Sequence, residues 1–235
     1  SPDGATWTLQ AQGGTSVFGA NVIDGVCWSP KLNLFVAVGD FGKVATSFDG
    51  VNWSLSATSS SVFGGSNLIN GVCWSPTLNL FVAVASLGVL ATSPDGQNWT
   101  AHTSQFGTNY INAVVWSASL NLFVAAGQGG LISTSPNGTT WTARSSTLTD
   151  NWSGVAWSPS LGQFVVVGLG GQMVASSNGT TWAARSSGFG ATSINGVAWS
   201  PERGLFVAVG ASDAYSTSPD GSTWTYQSTM FGGVS

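Results

Sequence analysis

Short apolar stretches separated by polar, glycine-rich connections recur along the whole chain. Residues 34–38 (LFVAV) are apolar at every position, which is typical of a strand packed between neighbouring sheets. In the preceding stretch, a period of two places Gly25 and Cys27 on one strand face and Val26 and Trp28 on the other. No window shows the 3.6-residue apolar spacing of an amphipathic helix. The pattern therefore predicts an all-β chain without helices.

Tryptophans divide the chain into repeats. One series recurs every 41 to 46 residues in frames such as GVCW and GVAW: Trp28, Trp74, Trp116, Trp157 and Trp199. A second series follows the same rhythm: Trp7, Trp53, Trp99, Trp141, Trp182 and Trp224. Each unit reads as four short strands, and four-stranded units of about 40–45 residues are typical of propeller blades. The sequence predicts a single domain, a five-bladed β-propeller of four-stranded antiparallel blades.

The repeats leave one strand motif in surplus. Their boundaries lie at about 1–46, 47–92, 93–134, 135–175 and 176–217, with a partial repeat at 218–235. The first three strands occur five times, starting near Ile23, Ile69, Ile111, Trp152 and Ile194, whereas the fourth-strand motif occurs six times. Either residues 1–10 or residues 218–228 can complete the blade built from 193–217. The chain is then an excised part of a longer protein, or its spare edge strand pairs with another copy to form a homo-oligomer.

Six Asx-Gly pairs each precede a tryptophan of the second series by three residues. Such pairs supply the positive φ that a tight hairpin turn requires, so each should link the third and fourth strands. The segments SPDGATW, SFDGVNW, SPDGQNW, SPNGTTW, SSNGTTW and SPDGSTW resemble the Asp-box, or BNR, repeat of sialidase-like propellers. The usual motif has one residue between Asp and Gly, and this chain has none. The resemblance covers essentially the whole chain and implies a turn at the periphery of each blade.

The resemblance raises the question of sialidase activity. That activity requires an arginine triad, a tyrosine with a glutamate partner and an acidic catalytic residue. Only Arg144, Arg185 and Arg203 are available, and the single Glu202 lies in a turn. General glycoside hydrolysis needs two facing carboxylates, and outside the repeated positions only Asp40, Asp150 and Asp213 remain. His102 is the sole histidine, which leaves metal sites and catalytic triads without partners. The sequence predicts no catalytic residue, metal or cofactor.

Charge and hydropathy exclude two classes of partner. The net charge is −4, and the five cationic residues are scattered singly, whereas nucleic-acid binding needs a clustered basic surface. No uninterrupted apolar run reaches the length of about 18 residues that a membrane-spanning helix needs.

Cys27 and Cys73 occupy one repeat position that holds Val115, Ala156 and Ala198 elsewhere. We interpret both as small core residues.

Loops that differ between repeats should lie on one face of the propeller, and binding residues concentrate on such loops. The second-to-third-strand loops hold Asp40, Phe41, Lys43, Leu87, Gln128, Leu169 and Asp213. The inter-blade connections hold Phe18, Phe63, Phe106, Trp152 and Phe189, which either fill the space between blades or form an aromatic surface that stacks on sugars. The predicted ligand-binding residues are Tyr110, Asn109, Asn151, Trp152, Asp40 and Asp213.

Three functional hypotheses follow. The first is a non-enzymatic, lectin-like recognition module that binds a glycan or a surface protein and is displayed on an extracellular or virion surface. The second is a structural or assembly protein, such as a virion or fibre component, for which the surplus strand argues. The third is a glycosidase-like enzyme, because propellers also host such chemistry and fold does not decide function.

Overall fold

The computed structural model describes residues 17–227 and confirms five sheets of four antiparallel strands each. Blade 1 contains β1 (Ile23–Ser29), β2 (Leu34–Gly39), β3 (Val44–Ser47) and β4 (Ser54–Leu55). Blade 2 contains β5 (Ile69–Ser75), β6 (Leu80–Ala85), β7 (Leu90–Ser93) and β8 (Thr100–His102). Blade 3 contains β9 (Ile111–Ser117), β10 (Leu122–Gly127), β11 (Ile132–Ser135) and β12 (Thr142–Arg144). Blade 4 contains β13 (Trp152–Ser158), β14 (Gln163–Gly168), β15 (Met173–Ser176) and β16 (Ala183–Arg185). Blade 5 contains β17 (Ile194–Ser200), β18 (Leu205–Gly210), β19 (Tyr215–Ser218) and β20 (Thr225–Gln227).

The first strand of each blade begins at the residue that the repeats predict, and each carries a bulge near its start. In blade 2, Ile69 pairs with Ala85 but Gly71 pairs with Val84, which leaves Asn70 as the extra residue. A bulge re-aims a side chain, and the amide of Asn70 donates to the carbonyl oxygen of Ile111 on the next blade at 2.8 Å. The bulge thus helps to join successive blades.

One helix differs from the prediction of a helix-free chain. Helix α1 (Ser59–Phe63) is a single turn in the connection between blades 1 and 2. Its apolar anchor is Phe63, which is fully buried. A helix this short has no apolar period for the sequence to display. Three of the second-to-third-strand connections also contain a 3-10 turn, at Asp40–Gly42, Ser86–Gly88 and Gln128–Gly130.

The Asx-Gly segments link the third and fourth strands as predicted, but as longer turns than a tight hairpin. In blade 5 the connection runs from the end of β19 at Ser218 to Thr225, and only the glycine of the pair, Gly221, has a positive φ. The Asp220 carboxylate accepts hydrogen bonds from the backbone N–H groups of Ser222 and Thr223 at 2.8 and 2.7 Å. An amide oxygen serves equally well in this role, because Asn178 accepts the same two bonds in blade 4.

This turn predicts a pH dependence of stability. Hydrogen bonds from the N–H groups of Thr223 and Ser222 lower the pKa of Asp220 to about 2. A carboxyl group with a lower pKa in the folded state stabilises the fold above its unfolded pKa of about 3.9, and this stability is lost as pH falls towards 2. We expect Asp220→Asn to fold normally at neutral pH and to lose less stability in acid. Urea midpoints at pH 7 and pH 3 test this, and an unchanged acid loss would contradict it.

Apolar side chains between neighbouring blades form the core. Leu34, Val36 and Val38 of blade 1 pack with Trp74 and Phe81 of blade 2, and equivalent clusters lie between the later blades. Three phenylalanines of the connections are buried in these clusters: Phe63, Phe106 and Phe189. For these three the structure supports filling of the space between blades, and they present no aromatic surface. Phe18 is buried against Ala37 and Ala45 of its own blade.

The two ends of the row of blades are not packed against each other within the described residues. The first strands pack in succession, β1 on β5, β5 on β9, β9 on β13 and β13 on β17, but β1 and β17 share no such contact. Val26 of β1 is 62% exposed, and a side chain at Gly196 of β17 would meet open space, whereas one at Gly154 would touch the next blade. Blade 5 takes β20 as its own fourth strand. Residues 1–10, the other predicted source of that strand, lie outside the described residues.

Candidate functional site

The strand order places the loops that vary between repeats on one face, as predicted. In an antiparallel meander, the second-to-third-strand turns and the blade-to-blade connections emerge on the same side. We call this side the variable face and define it by these two sets of loops. The turns are 40–43, 86–89, 128–131, 169–172 and 211–214. The connections are 17–22, 56–68, 103–110, 145–151 and 186–193.

A backbone hydrogen bond ties each turn of the variable face to the connection before it, and in blades 1 and 3 a second one ties the turn to the connection after it. In blade 3 the N–H of Gln128 donates to the carbonyl oxygen of Tyr110 at 2.9 Å, and the N–H of Gly130 donates to that of Asp150 at 2.7 Å. Blade 1 repeats the pattern, with Asp40 bonded to Val22. Turns and connections therefore form a continuous, pre-organised surface along the blades.

Three of the polar residues singled out from the sequence hold these loops together. The Asp40 carboxylate accepts a hydrogen bond from the N–H of Val22 at 3.1 Å. The Asn109 amide donates to the carbonyl oxygen of Phe106 at 3.1 Å. The Asp150 carboxylate accepts hydrogen bonds from the N–H groups of Asn151 and Gly170 at 2.7 and 2.8 Å. Two of the three carboxylates open to a catalytic role thus have backbone partners, while Asp213 lies exposed on the turn of blade 5.

Trp152 lies in the core, contrary to its selection as a surface aromatic residue. It is fully buried and packs with residues of blades 3 and 4, including Ile132 and Trp157. As the first residue of β13 it occupies the position of Ile111 and Ile194, which are also fully buried. Alignment with those isoleucines, instead of with the connection phenylalanines, is the sequence signal that identifies it as a core residue. Trp152 therefore presents no ring face to a ligand.

Tyr110 and Asn151 remain exposed on the variable face, on either side of one turn. The Gln128 side chain accepts a hydrogen bond from the N–H of Tyr110 at 3.3 Å. The Asn151 side-chain oxygen accepts one from the N–H of Gly129 at 3.0 Å. In the described structure nothing lies within 4 Å of a side chain added at Gly129, so the tip of the turn between Tyr110 and Asn151 is open.

Exposed apolar side chains at the tips of neighbouring turns form the other feature of this face. Phe41 and Leu87 are 51% and 52% exposed, and both have left-handed backbone with φ of 58° and 56°. The equivalent residue of blade 3 is Gly129, with φ of 71°. Leu169 is exposed on the turn of blade 4. The sequence places these residues in the variable loops, but they are not among the predicted ligand-binding residues. A bulky residue aligned with a glycine of another repeat is the sequence signal that could have identified Phe41 and Leu87.

Metal binding and membrane crossing gain no support from the described residues. Within residues 17–227, no group of three or more His, Cys, Asp or Glu side chains could hold a metal ion. No helix in the same range is long and apolar enough to cross a membrane.

Solved structures with a similar arrangement of strands identify the fold. YCF48 bound to D1 peptide superposes with a TM-score of 0.63 at 20% identity, over 88% of this chain and 66% of that one. YCF48 from Cyanidioschyzon merolae gives 0.64 at 21% identity, over 88% and 72% of the two chains. The shared fold is the β-propeller. A propeller in the nidogen/laminin complex gives 0.65 at 12% identity, over 84% and 76%.

These identities show the propeller fold alone. This chain spans only 66% of the length of the YCF48 chain in the D1 peptide complex. No protein-family model matches the chain, and no curated protein matches it. The comparisons therefore support the propeller fold that the Asp-box resemblance implies. They do not show that the chain belongs to the Asp-box family.

Proposed function

We propose that this propeller is a non-enzymatic recognition module that binds a segment of a protein partner through its variable face. The observation that carries the proposal is the pair of exposed apolar tips, Phe41 and Leu87, in left-handed backbone. A left-handed conformation costs about 1–2 kcal/mol for a residue other than glycine. Strained residues cluster at binding sites, where the surrounding structure holds them.

The setting of these side chains supports contact with a partner. They sit on turns held by backbone hydrogen bonds, so binding a partner costs little conformational entropy. Exposed aromatic and aliphatic anchors on a rigid surface are typical of protein interfaces. Protein partners in the neighbours' structures, D1 peptide for YCF48 and laminin for nidogen, add support. The backbone partners of Asp40 and Asp150 argue against a carboxylate pair for glycoside hydrolysis.

Replacing both tips with glycine tests the proposal. We expect Phe41→Gly/Leu87→Gly to weaken binding about tenfold or more, since interface anchors are each worth upwards of about 1 kcal/mol. The melting temperature should stay the same or rise, because glycine relieves the left-handed strain. The probe is a synthetic peptide selected on the wild-type protein from a random linear library displayed on phage, titrated by fluorescence anisotropy.

Phe48→Gly is the matched control, because Phe48 is an exposed phenylalanine in a third-to-fourth-strand turn on the opposite face. It should leave peptide affinity unchanged. The proposal fails if the library yields no peptide, or if the tip variants bind as tightly as the wild type.

A carbohydrate ligand is a second candidate, favoured by the exposed side chains of Tyr110 and Asn151 beside the open tip of the blade 3 turn. A sugar could stack on the exposed tyrosine ring and hydrogen-bond to the amide, as lectin-like recognition requires. A glycan array with wild type and Tyr110→Ala distinguishes this candidate, since saturable binding lost in the variant would favour it over a peptide ligand. Display on an extracellular or virion surface belongs to the same proposal.

An assembly role is the third candidate, and the unpaired ends of the blade row favour it. Val26 and Trp28 of blade 1 and Val209 of blade 5 are more exposed than the residues at the same positions in blades 2 to 4. Large exposed apolar surface marks sites of association. Light scattering over a range of protein concentrations separates this role from the first two, because assembly predicts a defined oligomer without added ligand.

A further inference from the structure

We infer that two equivalent grooves at the edge of the variable face, on blades 3 and 4, bind carboxylates of an acidic segment in the protein partner. The inference rests on the proposed function and names the chemistry of its ligand. Both grooves are open depressions between the end of a blade's fourth strand and the following connection.

The groove of blade 3 has a volume of about 480 Å³ and is lined by the turn at Gly129 and Gly130, by Arg144 and by the connection around Ser146 and Thr147. The groove of blade 4 has a volume of about 320 Å³ and is lined by Gly171, Arg185, Ser187 and Gly188 at corresponding positions. Arg144 and Arg185 are the last residues of β12 and β16. Each groove therefore has one half-buried guanidinium in its wall.

Hydrogen bonding leaves donors of both guanidinium groups without a partner. The Nε of Arg144 donates to the hydroxyl of Thr134 at 2.9 Å, and this is its one side-chain bond within residues 17–227. Blade 4 has Ala175 in the position of Thr134, so the equivalent acceptor is missing. The Nη1 of Arg185 donates to the carbonyl oxygen of Ala184 at 3.1 Å, and its Nε is buried without an acceptor in the described structure.

Charge neutralisation is also incomplete. Neither arginine forms an ion pair with a carboxylate in the described part of the chain. Asp150 lies on the connection beside the blade 3 groove, but its carboxylate is bonded to the N–H groups of Asn151 and Gly170. A planar guanidinium with free donors binds a carboxylate through two parallel hydrogen bonds, which makes arginine the preferred residue for this task.

The other blades lack a cation at this position. Blades 1 and 5 carry Ser56 and Gln227 there, and blade 2 carries His102. His102 bonds through Nε2 to the hydroxyl of Thr92 at 2.8 Å, and burial lowers its pKa, which favours the neutral imidazole near pH 7. The variable face is thus divided, with the two left-handed apolar tips, Phe41 and Leu87, on blades 1 and 2 and the arginine grooves on blades 3 and 4.

This division specifies the ligand. Packed sheets lie about 10 Å apart, so the two carboxylates must be separated by at least this distance. An extended peptide rises about 3.3 Å per residue, which places its acidic residues about three or more positions apart. The expected ligand is an extended segment with apolar residues at one end and spaced Asp or Glu residues at the other.

Two synthetic peptides test the inference: one with a Phe/Leu half followed by spaced glutamates, and one with glutamine in place of each glutamate. We expect the glutamate peptide to bind wild type about tenfold or more tightly than the glutamine peptide, from two charge-assisted bidentate pairs. Arg144→Gln/Arg185→Gln should abolish this difference. Arg144→Lys/Arg185→Lys should retain part of it, because the charge remains and the planar fork is lost.

The control variant Lys31→Gln/Arg203→Gln changes the net charge equally on the opposite face, in first-to-second-strand turns, and should keep the full difference. Equal binding of both peptides to the wild type, or an equal effect of the control variant, overturns the inference. If it fails while Phe41→Gly/Leu87→Gly still weakens both peptides, the proposed function stands. If the tip variants have no effect while the glutamate preference persists, the proposed function fails, and carboxylate binding by the two grooves still stands. Binding of neither peptide overturns the inference, while the library selection decides the proposed function.

Discussion

Replacing Trp74 with alanine is expected to lower the free energy of unfolding by about 3–5 kcal/mol, the range for removing a buried tryptophan. Trp74 is 7% exposed, and its ring lies 4.5 Å from that of Phe81 between centroids. It also packs against blade 1, where Leu34 and Val36 belong to the same cluster. Its loss would open a cavity between two blades, which packed strands can fill only partly.

Trp28 is the matched comparison, because it occupies the same position in blade 1. It keeps its contact with Phe35, with ring centroids 4.3 Å apart, but within residues 17–227 no blade covers its other side and it is 37% exposed. Trp28→Ala should therefore cost about two thirds as much or less, since the transfer free energy scales with the area buried. Urea denaturation of both variants measures the difference. Equal losses would show that another sheet covers blade 1 in solution.

Gly88→Ala should be the second strongly destabilising change, at about 2–5 kcal/mol. Gly88 has a φ of 68°, and an added Cβ would collide with the carbonyl oxygen of Gly107 in the next connection. The estimate combines a left-handed conformation, about 1–2 kcal/mol, with overpacking, about 1–3 kcal/mol. Thermal and urea unfolding would report the loss.

Gly129→Ala isolates the conformational part of this cost. Gly129 also has a positive φ, of 71°, but nothing lies within 4 Å of an added Cβ. We expect a loss of about 1 kcal/mol. In blade 5 the position of Gly88 is occupied by Asp213, which has a φ of 56°. Within residues 17–227 no further connection packs against that turn. Equal losses for the two variants would mean that the contact with Gly107 gives way without cost.

The strands were predictable because their signals are local. Each first strand starts where the repeated motif places it, from Ile23 to Ile194, and the LFVAV-type strands of blades 1 to 4 are buried on both faces as their composition indicates. The polar turns were predictable for the same reason, since an Asx oxygen and a following glycine act within a few residues of one another. The length of those turns was not, because it depends on where strand pairing stops.

The candidate site was predicted only as a face. Tyr110 and Asn151 lie there as expected, but Asn109 and Asp40 serve backbone groups, and Trp152 is in the core. The sequence does not indicate which residue a polar or aromatic side chain in a variable loop will contact. That outcome depends on the adjacent blade, which lies about 40 residues away along the chain.

The sequence by itself determined the repeat, the four strands of each blade and the side on which the variable loops emerge, because these follow from period, turn chemistry and strand order. The tertiary structure decided which copies of a repeated residue are buried. Trp74 and Trp28 have nearly the same neighbours in sequence, and only the presence of blade 1 beside blade 2 distinguishes them. It likewise brought Arg144 and Arg185 into two equivalent grooves, since burial and unpaired donors are properties of packing between blades.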